Sequence, residues 1–169
     1  MTDQGGRGLG RWLAIAATAA IVVMWLYIFS GAARRDPPDS LRDGRFAEQA
    51  EPICAAAVEA VEALPGADVA ETAPDRADVI DDADVLLADM LDQLEALEVD
   101  DDRDRELIDL WLADWRTYLG DRAEFARALR TDPDAELLVT ARAGRQITLT
   151  VDRFAEVNDM ASCATPLDV

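Results

Sequence analysis

The side chains that could do chemistry in this chain are few in kind. Its 169 residues hold 35 Asp and Glu, sixteen Arg, two Cys and ten aromatics, with no Lys and no His, for a net charge of −19. Without His there is no His general base, no His-containing triad and no His-ligated zinc. Without Lys there is no Schiff base and no P-loop lysine. What remains is carboxylate chemistry, thiol chemistry and binding. Asp100, Asp101, Asp102 and Asp104 could in principle bind calcium, but the run lacks the central Gly and distal bidentate Glu of a calcium loop. They read as a solvated connector whose last members sit at a helix N-terminus, where negative charge is favoured. Acid–base pairs need a cleft that splits their pKa values, and the periodicity puts the acids mostly on polar faces. No catalytic residue, metal or cofactor is expected. A surface this acidic also repels phosphate backbones, so no nucleic-acid partner is expected.

Cys54 and Cys163 lie near the two ends of the acidic part of the chain, and neither belongs to a C-x-x-C. No basic neighbour lowers either thiol's pKa, as a nucleophile would require. A disulfide is the economical reading; two buried thiols, or intermolecular pairing, are the alternatives. Trp111, Trp115 and Tyr118 follow one another at helical spacing. Such a stripe is usually core. Its sharper reading is the wall of a pocket between helices, suited to a cation because aromatic faces and carboxylates both attract positive charge.

The elements that must position these residues begin with the anchor. Trp12–Phe29 is eighteen residues without a charge, and the uncharged run continues to Ala33 between Arg11 and Arg34. At ~1.5 Å per residue this matches a bilayer core of about 30 Å, with Trp12, Trp25 and Tyr27 placed as interfacial aromatics. A cleaved signal peptide is the rival, with a small-x-small site at Ser30–Ala32, but its apolar region would run to only about 7–15 residues. Residues 12–33 are therefore expected as one transmembrane helix, residues 1–11 as a cytoplasmic tail and residues 34–45 as a juxtamembrane linker. Ala16 and Ala20 are a small-xxx-small pair, a route to a homo-oligomer. The flanking Arg counts nearly tie, so the cysteines set the orientation. A disulfide persists on the oxidising side, which puts residues 46–169 outside the cytoplasmic membrane.

Charge divides at the same place. Residues 1–45 carry +2, whereas residues 46–169, with ten Arg and 31 acids, carry −21. In this acidic part, Phe46, Ala50, Ile53, Ala57, Val61 and Leu64 step as one helical stripe, with Pro52 off it. Ile80, Ala83, Leu87, Met90, Leu94 and Leu97 make a second, opened by a cap at Thr72 and by Pro74. Leu107, Ile108, Trp111, Trp115, Tyr118, Phe125 and Leu129 make a third, with an interruption conceivable at Gly120. Glu136–Arg142 and Gln146–Val151 alternate around Ala143-Gly144-Arg145 and predict a hairpin. The alternative is that the second arm feeds directly into the last helix, with Thr150 capping a short helix from Val151 to Met160.

The runs Trp111–Arg122 (WLADWRTYLGDR) and Arg153–Ala164 (RFAEVNDMASCA) resemble stretches of uncharacterised membrane-anchored helical proteins of actinobacteria. The resemblance implies a bacterial envelope setting and assigns no functional residue. The expected fold is mainly α: one N-terminal transmembrane helix, then an extracytoplasmic helical bundle with a small hairpin and a short C-terminal helix. The expected role is a non-enzymatic, single-pass membrane protein that binds a protein partner. A small-ligand domain built on the three aromatics is the alternative.

Overall fold

The apolar stripes fold as helices, and the three long ones pack on each other. The structure, a computed structural model of the chain, describes residues 5–29, 37–66 and 69–166, with side chains from Trp12 onward. It divides into two units, Met1–Pro37 and Pro38–Val169. The last residues of the expected span (30–33) and the start of the expected linker (34–36) lie outside the described residues.

The first unit holds α1, Gly5–Phe29. Its window Trp12–Phe29 has a mean hydropathy of 2.2 and is long and apolar enough to cross a membrane, with none of it buried. The Thr18 hydroxyl within it donates to the Ala14 carbonyl at 3.0 Å, so it needs no outside partner. Trp25 and Phe29 stack at 5.4 Å.

In the second unit α2 spans Arg45–Glu62, α3 Ala73–Glu95 and α4 Asp102–Leu129. The helix α2 runs through the exposed Pro52 and begins seven residues before it, at Arg45. The Thr72 side chain accepts from the Asp75 amide and caps α3. The Asp101 side chain accepts from the Asp104 amide and does the same for α4. Each satisfies an amide that the first turn leaves orphaned. No break occurs at Gly120, since a 28-residue helix with a long buried stripe tolerates one exposed glycine. The helix α3 packs between α2 and α4. Leu87, Met90, Leu91 and Leu94 of α3 meet Ile108, Leu112, Trp115 and Tyr118 of α4 in the main core. A smaller cluster of Ala77, Ile80, Phe125, Ala126 and Leu129 closes the far end.

The hairpin is much shorter than expected. It consists of β1, Ala141–Arg142, and β2, Arg145–Gln146, paired antiparallel around Ala143 and Gly144, which both have positive φ. Residues 136–140 form no strand. The second arm is instead α5, Ile147–Val157. The alternative of direct feeding into the last helix is therefore the correct one, but the helix begins at Ile147 after Gln146 and not at a Thr150 cap. Ile147, Val151, Phe154 and Ala155 are buried at helical spacing, whereas Leu149 is 56% exposed. A strand would have turned Ile147, Leu149 and Val151 to one side, and only two of the three have a core to enter.

A short 3-10 turn, Ala161–Cys163, brings the chain back to α2. There Cys54 and Cys163 are disulfide-bonded, with both residues fully buried. The bond closes a separation of 109 positions, for which chain entropy gives about 4.8 kcal/mol. Glu51 reinforces the junction by accepting from the Ser162 hydroxyl at 2.7 Å and from its amide.

Residues 38–43 are not a free linker. Arg103 donates to the Pro38 and Ser40 carbonyls at 2.7 and 3.0 Å. Asn158 donates to the Asp39 carbonyl and accepts from the Leu41 amide at 2.8 Å. Asp104, buried, accepts from the Arg42 and Asp43 amides at 2.8 and 3.0 Å. This segment is a strap fastened to α4 and α5, and the compact unit accordingly starts at Pro38 and not at Phe46.

Candidate functional site

Trp111, Trp115 and Tyr118 are 3%, 1% and 2% exposed and belong to the main core. Trp111 stacks on Phe154 at 5.2 Å, meets Phe46 edge-on at 6.3 Å and donates its indole N–H to the Val151 carbonyl. Trp115 and Tyr118 meet edge to face at 5.9 Å. The three are thus brought onto one helix face but do not line one cavity among the described residues. Trp111 reaches a recess, as its floor.

That recess, of about 220 Å³, lies where α4, α5 and the strap meet. Leu107, Leu110, Trp111 and Phe154 give it an apolar floor and rim, and Asp39 and Thr150 close one side. Leu110 is 60% exposed. On the other side Arg142 of the hairpin pairs with Asp114 of α4. Burial pushes the Asp114 carboxyl above its ordinary range, against the pull of Arg142. Thr140, which donates to Asp121 through its amide and hydroxyl at 2.7 and 2.8 Å, holds the hairpin base in place.

A larger recess of about 820 Å³ shares Asp39 and Thr150 with the first. Arg145, Leu149, Asp152, Arg153, Glu156 and Thr165 complete its wall. Its chemistry follows from how the domain uses its arginines. Arg103, Arg105, Arg116, Arg122, Arg127, Arg130 and Arg142 each pair with a carboxylate. Arg76 lies over the Phe125 ring. Among the described residues, Arg145 and Arg153 alone in the acidic domain have no ion pair or other recorded partner, and both face the large recess. The Asp39 and Glu156 carboxylates on the same wall also meet no cation within ion-pairing distance. Asp152 is spent on the Thr165 amide and hydroxyl at 2.7 and 2.9 Å.

A third recess, of about 220 Å³ at the end of α2, reaches Arg122. Arg122 is nearly buried and pairs with Asp84 of α3, whose side chain is 15% exposed. Burial pushes Asp84 up, and the Arg122 charge opposes it. Burial works against the guanidinium, but the charge and hydrogen bond of Asp84 outweigh it and hold Arg122 above its ordinary value. Burial also raises the Tyr118 phenol, which lies beside this pair.

The four-aspartate cluster divides its work. Asp101 caps α4, Asp104 fastens the strap, and Asp100 and Asp102 pair with Arg45 and Arg105. Asp104 and Asp114 depart from the expected placement of the acids mostly on polar faces: both are buried. The signal for them was in the sequence: Asp104, Asp114 and Arg122 fall on the apolar stripe of α4, four before Ile108, three after Trp111 and four after Tyr118. Nothing in residue type or spacing marked Arg145, Arg153, Asp39 and Glu156, because strap and helix meet only in the fold.

The chain matches no protein-family model, no curated protein and no solved structure. The chain is thus an apolar N-terminal helix followed in sequence by a helical bundle, the latter with two adjoining recesses beside the strap.

Proposed function

We propose that this is a single-pass protein of the bacterial cell envelope whose domain stands outside the cytoplasmic membrane and binds a protein partner there. The partner packs on the small recess, with Leu110 as the apolar contact. The observation that carries the reading is that this exposed leucine, unlike the exposed Val85 and Leu138, stands at a recess floored by Trp111 and Phe154. The placement rests on the apolar helix combined with a buried disulfide, a bond that oxidising compartments keep. The protein acts by binding and not by catalysis. In support, its buried carboxylates are committed one by one: Asp84 to Arg122, Asp104 to the strap and Asp114 to Arg142.

Two measurements test this. A photo-crosslinking residue at Leu110 should give a discrete adduct in intact cells, whereas one at Val85, exposed on α3 and lining neither recess, should not. Equal labelling, or none, would overturn the docking face. Protease added outside spheroplasts should digest the domain, and non-reducing gels should show the intrachain bond. Protection together with free thiols would reverse the topology.

A further inference from the structure

The large recess holds two arginines and two carboxylates that leave one another alone. This is unusual in a domain where acids outnumber arginines three to one and most arginines have found a partner. Charges of opposite sign, fixed on one wall and held apart beyond ion-pairing distance, are complementary to a ligand that carries both signs at a separation. A net anion would have to approach against a domain charge of −21, and a net cation would leave the arginines unanswered. A dipolar, net-neutral molecule meets neither obstacle. The volume of about 820 Å³ lies within the roughly 300–1,000 Å³ of small-molecule sites, and Leu149 supplies an apolar wall between the charged groups.

We propose that the recess bounded by Asp39, Arg145, Leu149, Arg153 and Glu156 binds a zwitterionic amino acid or short peptide. The ligand's carboxylate is held by Arg145 and Arg153. Its ammonium faces Asp39 and Glu156, and an apolar side chain rests on Leu149. Arginine suits the first role because its planar fork matches a carboxylate bidentately. The site adjoins the partner face and shares Asp39 and Thr150 with it, but Arg145, Leu149, Arg153 and Glu156 line the large recess and not the small one, so the inference does not rest on a protein docking at Leu110.

The test is a titration of the full chain in detergent micelles with the tripeptide Ala-Leu-Ala, followed through the Arg145 and Arg153 Nε–H resonances. Saturable shifts at both arginines are expected. Acetylating the peptide's amine, or amidating its carboxylate, should each weaken binding roughly tenfold or more, the loss of one charge-assisted contact. R145Q and R153Q should weaken the zwitterion while leaving the unfolding midpoint unchanged, because neither arginine has a partner to lose. In the double variant the amidated and free peptides should bind alike. Binding that is indifferent to both caps would overturn the charge reading. No saturable binding of the tripeptide or of free leucine would overturn the site.

Discussion

The Asp84–Arg122 pair allows a sharp test of how this core tolerates charge. Arg122 is 3% exposed and Asp84 15%, so each has given up nearly all its water for the other. Removing one partner from a buried pair costs about 3–5 kcal/mol, because the survivor is left charged without compensation. The two single variants should nevertheless differ. In D84N the survivor is a guanidinium, which cannot shed its proton. Its cost of about 3–5 kcal/mol should not vary with pH as long as Asp84 of the wild type is ionised. In R122M the survivor is a carboxyl that burial already pushes above 3.8 and that now loses the arginine opposing the shift. An acid whose folded pKa is raised destabilises the fold above that pKa. The penalty shrinks as pH falls through the raised value and is gone below the unfolded value near 3.8. Relative to wild type at each pH, the R122M deficit should fall by up to about 1.4 kcal/mol per unit between the variant's folded pKa and the lower one that Asp84 has beside Arg122. The double variant D84L/R122M removes both charges and should lie near wild type or above it. Urea unfolding of the full chain in micelles, read by far-UV circular dichroism between pH 4 and pH 7, measures all three. A D84N cost below about 1 kcal/mol, or an R122M deficit flat with pH, would refute the account of this pair.

How far the sequence could be read depended on what each residue needed to know about distant chain. Thr72 and Asp101 were legible as caps or first-turn acids because a cap looks only at the next three residues. The stripes of α2, α3 and α4 were legible because each repeats over four turns or more. Ile147–Val151 was not, since five residues with apolar positions at 147, 149 and 151 fit a strand as well as a helix. Only the later Phe154 and Ala155, and the core they enter, decide for the helix. The cysteines could be paired by counting, but the aromatics could not be placed that way, because core and pocket use the same residues at the same spacing. Trp111 is packed under Phe46 and Phe154, which lie far off in the chain on either side of it. The strap was least visible. Residues 38–43 have the composition of a linker, and what orders them is a set of backbone groups received by Arg103, Asp104 and Asn158.

Two further perturbations address these less legible parts. Asp104→Ala takes one carboxylate from the amides of both Arg42 and Asp43, so hydrogen exchange at residues 42 and 43 should speed by more than tenfold while α3 keeps its protection. Unchanged exchange there would mean that the strap is held by something other than these bonds. The comparison of Leu149→Asp with Ile147→Asp separates the helix from the strand over 147–151. A strand puts the two side chains on one face, two residues apart, so both substitutions would bury a charge or neither would. A helix turns them about 200° apart, and here Ile147 is fully buried while Leu149 is 56% exposed. Ile147→Asp places an unpaired carboxylate in the main core, at a cost of more than about 3 kcal/mol. Leu149→Asp stays within about 0.5 kcal/mol of wild type, the range of ordinary surface changes. Thermal unfolding of both variants in the full chain decides it: similar losses would return residues 147–151 to a strand, and with it would move Arg153 and Glu156 off the wall of the large recess.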